Sequence, residues 1–367
     1  MPTYKYQAKD MAKSCNKCKK GFEIEQSIKD DPLKVCPECG NEIERIIEKI
    51  RAAEEEKRKL SLFLRKIPDL YFKVEKADLD NLKIGGEDGG LTKKTSHLLD
   101  FVFLRAVSVI FCYERGKLRD VIYYPKTNPV PEIIYSPESL SDIEFRIFWS
   151  LQRMKKEIKL SIETIKKFSP DLFLIDGSLL VNPADIPKKE STVYSDYLEV
   201  KNLLEELYRT GELNDCLIAG IVEDSRSSKF CNYVIDNILS KIDNPKIPEL
   251  INLLKKTKDT NLLYYMLEKG EATRILELEN NIKCMYLKTA EFDRPIRIEF
   301  LKEGEKIASV VYAISSQSKI YGMPNVLIES DQRAKLTESE TEYFVNLIAS
   351  RLKLQNIFFL RRESRPF

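Results

Sequence analysis

One short run, Asp171–Ser178, constrains the fold more than any other part of the chain. Four apolar residues carry an acid, Asp176, to the end of a predicted strand, and Gly177 turns the backbone directly afterwards. A second acid–glycine pair, Asp88–Gly89, precedes a long apolar strand predicted at 101–112. Carboxylates at strand ends supply the oxygen ligands that Mg²⁺ and Mn²⁺ take, with positions left for phosphate and water. The sequence therefore predicts an acidic metal site on a sheet.

Strand and helix patterns interleave from residue 67 to the C-terminus, which predicts an α/β fold with a mixed sheet flanked by helices. Strands are predicted at 101–112, 119–124, 171–176, 216–222, 282–288, 295–301 and 307–314. Helices are predicted at 142–168, 193–209, 228–241, 247–257 and 337–352. The glycine-rich run 85–90, which carries Asp88, is by itself typical of a turn.

Four cysteines near the N-terminus have the CxxC…CxxC spacing of a zinc site: Cys15, Cys18, Cys36 and Cys39. Four thiolates complete a tetrahedral Zn²⁺ site, and a module with little apolar surface takes its folding energy from the metal. We predict a zinc ribbon at 1–41 with each CxxC in a polar turn, a helical linker at 42–66 and a large domain at 67–367. The spacing leaves the ribbon's role open between binding nucleic acid, binding protein and capping the domain.

Composition excludes few classes of function. The 367 residues include 60 basic and 58 acidic side chains, and a net charge of +2 argues neither for nor against a nucleic-acid partner. No apolar run approaches the roughly 20 residues that span a bilayer, and the N-terminus lacks the apolar core of a signal peptide. These features predict a cytoplasmic protein without a membrane partner. The sequence contains no GxxxxGK[ST] motif, so any ATP-driven motor is expected to be a partner.

Further acids are candidates to complete the site with Asp88 and Asp176. Glu157 lies near the apolar face of the predicted helix 142–168, and Glu163 is its rival on the same helix. Asp224 closes another apolar strand, where it would hold a metal or phosphate or cap the following helix. Asp331 follows an apolar run near the C-terminus, a few residues after Tyr321.

Four basic residues in charge-rich segments are candidates to bind phosphates of a nucleic acid: Arg226, Lys288, Arg294 and Arg297. Phosphate contacts carry no sequence information, so little sequence preference is expected. The alternating charges at 291–300 are equally consistent with the polar face of a strand.

An ordered set of segments over residues 67–367 resembles archaeal NurA nucleases. The segments are GGEDGGLTKKTSHLLDFVFLRAVSVIF, DLFLIDGSLL, IVEDSRSSKF, YLKTAEFDRPIRIEF, YGMPNVLIESDQRAKL and LRRESRPF. The opening MPTYKYQ and the later DPLKVCPECG are similar to FmdB-type zinc ribbons. The NurA resemblance implies a ribonuclease-H-like core and a Mn²⁺- or Mg²⁺-dependent nuclease on single- and double-stranded DNA. It further implies a homodimer that processes DNA ends with a HerA-type hexameric translocase, as a 5′–3′ exonuclease with single-strand endonuclease activity.

The same resemblance suggests roles for individual residues. Asp88 matches the family's first-strand acid, Glu157 its helix acid and Asp176 its second acid before glycine. Tyr321 matches the tyrosine of the C-terminal motif, whereas Asp331 stands where the family commonly has a histidine. The resemblance therefore implies a site of Asp88, Glu157, Asp176 and Asp331 around the metal, with Tyr321 as a catalytic residue. The only histidine, His97, is expected to be structural.

Two other functions are consistent with the same residues. In the first, the protein is a non-catalytic DNA-binding or adaptor protein that uses the zinc ribbon, and the acids are caps and turn residues. In the second, the metal site cleaves RNA. Metal-dependent cleavage distinguishes the first from a nuclease, and competition between substrates distinguishes the second.

Overall fold

A computed structural model describes residues 37–95, 100–136 and 140–353. Cys15, Cys18, Cys36, His97 and the side chain of Cys39 lie outside the described residues. The chain divides into two compact units, Met1–Leu64 and Arg65–Phe367. Within the described residues, no helix is both long enough and apolar enough to cross a membrane.

The described part of the first unit is one helix, α1 (Pro37–Leu64). Proline is favoured at the start of a helix because its missing amide hydrogen has no intrahelical partner there. The predicted turn at the second CxxC is therefore wrong from Pro37 onward. The helix covers nearly all of the linker predicted at 42–66.

In the described part of the second unit, eleven strands join one mixed sheet. They are β1 (Tyr71–Lys73), β2 (Lys83–Thr95), β3 (Asp100–Glu114), β4 (Lys117–Tyr124), β5 (Glu132–Tyr135), β6 (Leu172–Asp176), β7 (Leu217–Val222), β8 (Glu271–Thr273), β9 (Leu276–Glu277), β10 (Lys283–Leu287) and β11 (Ile296–Phe300). Their order is β1-β8-β10-β11-β7-β6-β2-β3-β4, with β5 beside β3 and β9 beside β10. Only β2, β6 and β7 pair in parallel, at the centre of the sheet.

Helices cover both faces of this sheet. They are α2 (Asp142–Phe168), α3 (Tyr194–Leu213), α4 (Lys229–Asn237), α5 (Ile247–Lys255), α6 (Asp259–Met266), α7 (Gly304–Ser315), α8 (Asn325–Ala334) and α9 (Glu338–Leu352). One core joins α7 and α8 to residues such as Leu174 and Ile221, and the other joins α2 and α3 to residues such as Phe173 and Ile175. Because side chains alternate along a strand, the two cores lie on opposite faces. The predicted mixed α/β sheet flanked by helices is confirmed.

Two further local predictions are wrong. The run 307–314 is not a strand but most of helix α7, and its buried residues follow helical spacing at Ile307, Val310, Val311 and Ile314. The glycine run 85–90 is not a turn, because it continues through strand β2.

Candidate active site

Parallel pairing of β2 and β6 brings two acids together. The strands pair from Ile84 with Leu172 to Glu87 with Ile175, and Asp88 and Asp176 are the next residue on each strand. Asp88 is buried and accepts a hydrogen bond from the Gly89 amide at 2.7 Å. The structure therefore places the two strand acids side by side at the centre of the sheet.

Helix α2 adds Glu157 to this pair. The helix begins at a capping box formed by Ser141 and Glu144, and it keeps the bounds predicted from sequence. Glu157 is buried and lies directly against Gly89. A β-carbon added to Gly89 would lie only 2.1 Å from the Glu157 Oε1 atom, so a larger residue would not fit there. The rival acid, Glu163, lies on the exposed side of the helix and accepts a hydrogen bond from the Tyr124 hydroxyl at 3.1 Å.

Helix α8 approaches the opposite face of β2 and carries Asp331. A β-carbon on Gly86 would lie 3.0 Å from Val326 and Leu327, and one on Gly90 would lie 2.0 Å from the Ala334 carbonyl oxygen. The glycines of β2 are therefore needed because both flanking helices contact the strand closely. Asp331 is close enough to interact with the Asp88 carboxyl.

Burial and mutual repulsion raise the pKa values of Asp88, Glu157 and Asp176. Burial is the largest cause throughout, and it raises the pKa of Asp176, with added repulsion from Asp88 and Glu157, to about 8. Burial likewise raises the pKa of Glu157 to about 7, although the nearby Arg153 opposes the shift. Without a metal cation, this site holds protons near neutral pH.

Tyr321 and Glu223 extend the site on the side of Asp176 and Asp331. Tyr321 is 43% exposed, and burial together with the Glu223 charge raises the pKa of its hydroxyl to about 12. The Tyr321 hydroxyl is therefore protonated at neutral pH and able to donate a hydrogen bond. Sequence reasoning missed Glu223 and chose Asp224, although Glu223 directly follows β7, the parallel neighbour of the strand that ends at Asp176.

A buried ion pair on β11 positions the turn that follows Asp176. Glu299 is fully buried and contacts Arg297 at 2.6 Å. Its Oε2 atom accepts hydrogen bonds from the Leu179 amide and the Ser178 hydroxyl, both at 2.8 Å. Arg297 also donates to the Ser225 hydroxyl at 3.1 Å, in the loop after Glu223. The ion pair therefore connects the two loops that leave the acidic strand ends.

We expect Glu299→Ala to lower the free energy of unfolding by about 3–5 kcal/mol, because it leaves the partly buried Arg297 and the Leu179 amide without their fully buried carboxylate partner. The matched control is Glu206→Ala, which breaks the exposed pair with Lys166 and should cost less than about 1 kcal/mol. Chemical denaturation of both variants measures the difference. Equal losses would show that the buried pair contributes no more than a surface pair.

The four predicted phosphate-binding residues fall into two groups. Lys288 is buried and donates to the Tyr264 carbonyl at 2.7 Å, and Arg297 belongs to the pair just described. Arg226 and Arg294 are exposed, and Arg294 contacts Asp224 at 3.2 Å. Only this second group lies on the surface where a nucleic acid has access to it.

The acidic cluster has the chemistry of a site for a hard divalent cation. Its ligand atoms are carboxylate oxygens, and the Glu157 Oε1 atom is buried without a hydrogen-bond partner. Among the residues that the structure describes, no three or more acidic, cysteine or histidine side chains are arranged closely enough to hold a metal ion without moving.

A mixed sheet with acids on its central parallel strands and on helices of both faces defines a nuclease-like α/β domain. Residues 82–336 match the NurA domain family, and the chain belongs to that family. Residues 1–47 match a zinc ribbon domain, which confirms the predicted N-terminal ribbon.

Solved NurA structures share this fold. The NurA nuclease from Sulfolobus solfataricus is 16% identical, with a TM-score of 0.55 over 89% of this chain and 100% of that chain. A NurA bound to dAMP and manganese is 11% identical, with a TM-score of 0.52 over 85% of this chain and 97% of the other. A NurA with manganese is also 11% identical, with a TM-score of 0.51 over 86% and 98%. No curated protein sequence matches the chain.

Proposed function

We propose that this protein is a divalent-metal-dependent nuclease that hydrolyses phosphodiester bonds of DNA. The observation that carries the proposal is the proximity of Asp88 in the middle of β2, Asp176 at the end of the parallel strand β6, and Glu157 on α2. Membership of the NurA family supports a nuclease, and NurA structures that contain manganese support a divalent cation. The finer choice of Mn²⁺ or Mg²⁺ is part of the proposal.

The residues have distinct proposed roles. Asp88, Glu157, Asp176 and Asp331 would hold the cation, which when bound activates water and offsets charge on the phosphate. Tyr321 keeps its proton at neutral pH and donates a hydrogen bond toward a phosphate oxygen. The exposed Arg226 and Arg294 contact the DNA backbone, whereas Lys288 and Arg297 would reach it only by leaving their present partners.

Three finer features of the proposal rest on the resemblance to archaeal NurA. They are 5′–3′ exonuclease activity with single-strand endonuclease activity, a homodimer, and a HerA-type hexameric ATPase as partner. The sequence lacks a GxxxxGK[ST] motif of its own, which supports a separate motor. In the ribbon, Cys15, Cys18, Cys36 and Cys39 would bind Zn²⁺, as their spacing and the zinc ribbon match support.

The test of this function is a cleavage assay on end-labelled single- and double-stranded DNA, with RNA as a competitor. We expect cleavage of DNA in Mn²⁺ or Mg²⁺ and none in EDTA. Asp88→Ala should bind DNA but not cleave it. Binding without cleavage by the wild-type protein, even with a HerA-type translocase added, would favour an adaptor. Preferential cleavage of RNA would instead indicate an RNA phosphodiesterase.

A further inference from the structure

Glu87 is a buried acid whose carboxylate the fold leaves unpaired. Its side chain is 0% exposed, and neither Oε1 nor Oε2 has a hydrogen-bond partner. An unpaired buried carboxylate costs several kcal/mol of stability, so such a group calls for an unseen partner or a function. The proposed function does not use this residue, and sequence reasoning did not single it out.

The neighbours of Glu87 on β2 offer its carboxylate no hydrogen-bond partner. Alternation along the strand places it on the same face as Gly89, toward helix α2 and Glu157. Ser108 is its direct neighbour on β3, but the Ser108 hydroxyl pairs with Thr164 at 2.9 Å. The Ser108 hydroxyl on the neighbouring strand therefore already has another partner.

The charges that influence Glu87 are those of the candidate metal site. In decreasing order they are Glu157, Asp88 and Asp176, followed by the single cation Arg153. Arg153 lies 3.5 Å from Glu157, and its Nε atom is buried without a hydrogen-bond partner. One guanidinium does not balance four carboxylates. A divalent cation would offset this excess of negative charge, because carboxylate oxygens are the ligands that hard cations take.

We propose that Glu87 is an additional carboxylate ligand of the divalent-metal centre, reaching it beside Glu157 from the α2 face of the sheet. This inference rests on the proposed metal site and adds a ligand to it. Hard cations accept six or more oxygen ligands, so a further carboxylate fits beside Asp88, Glu157 and Asp176.

The test measures Mn²⁺ binding to the full-length protein without DNA. The free Mn²⁺ that remains in each titration is measured by electron paramagnetic resonance. Glu87→Gln keeps the shape of the side chain and should weaken Mn²⁺ binding by about tenfold or more. Glu163→Gln is the matched control, because it removes an acid from the exposed side of α2 and should bind Mn²⁺ like the wild type. Asp88→Asn should lose binding.

Thermal unfolding without metal shows whether weaker Mn²⁺ binding comes from loss of a metal ligand or from misfolding of the variant. Glu87→Gln should be at least as stable as the wild type, because it removes an unpaired buried carboxylate. If Glu87→Gln does not fold, Glu87→Asp replaces it, since a shorter carboxylate should also bind Mn²⁺ more weakly.

Wild-type Mn²⁺ affinity in the Glu87 variant, together with lost affinity in Asp88→Asn, would overturn the role of Glu87 alone. Wild-type affinity in both would overturn the metal site itself.

Discussion

Asp176→Asn is expected to lower the rate of DNA cleavage by about 1,000-fold or more, with little change in DNA affinity. Asparagine keeps the shape of the side chain but removes the charge that would hold the cation, and loss of about 4 kcal/mol of stabilisation corresponds to this factor. Glu157→Gln should have a similar effect, because Glu157 is close enough to Asp176 for the two carboxylates to repel each other. Single-turnover cleavage in Mn²⁺ measures the loss.

Glu163→Gln is the matched control for Glu157→Gln, because both change one acid of α2 to its amide. Glu163 contacts only Tyr124 among the hydrogen bonds of the described residues, so cleavage should stay within about twofold of the wild type. DNA affinity is measured in Ca²⁺, so that binding is observed separately from cleavage.

Equal cleavage rates of Asp176→Asn and the wild type would contradict a role for Asp176 in the metal site.

The second large effect concerns pH and metal affinity. The raised pKa values of Glu157, about 7, and Asp176, about 8, mean that Mn²⁺ must displace protons near neutral pH. Loss of one proton changes affinity about tenfold per pH unit below its pKa, so release of protons from both acids should tighten binding roughly 500-fold between pH 6 and pH 8. Above the pKa of Asp176, the dependence should level off. Calorimetry in buffers of different ionisation enthalpy counts the released protons.

The same pKa shifts affect stability in the opposite direction when metal is absent. An acid with a raised pKa in the folded state keeps its proton while the unfolded chain releases one, so its contribution to stability is lost as pH rises from about 4 to about 8. Asp176→Asn removes that effect at one position. The variant should therefore gain stability relative to the wild type as pH rises. A stability difference that does not change with pH would contradict the raised pKa of Asp176.

Local patterns explain which elements sequence reasoning placed correctly. Helix α2 has the predicted bounds because its capping box and apolar spacing are encoded within its own residues. Strand β6 was predicted within one residue because an apolar run ends there at an acid and a glycine. These two neighbouring elements carry Glu157 and Asp176.

Long-range contacts explain the errors. Residues 307–314 are rich in β-branched side chains, yet packing against the sheet stabilises them as helix α7. The glycines at 85–90 are typical of a turn in isolation, but in β2 they make room for α2 on one face and α8 on the other. Glu87 and Glu223 were missed because only the neighbours of their strands bring them near the other acids.

The sequence by itself determined the α/β class, the ribbon, and the acids Asp88, Glu157 and Asp176 as candidates, because these follow from local periodicity, cysteine spacing and family motifs. The tertiary structure decided which charged side chains share an environment. Parallel pairing of β2 with β6 joined two acids that are 88 positions apart, and packing of α2 chose Glu157 over Glu163. The fold also buried Lys288 and paired Arg297 with Glu299, and the charge of a residue does not reveal which partner the fold provides for it.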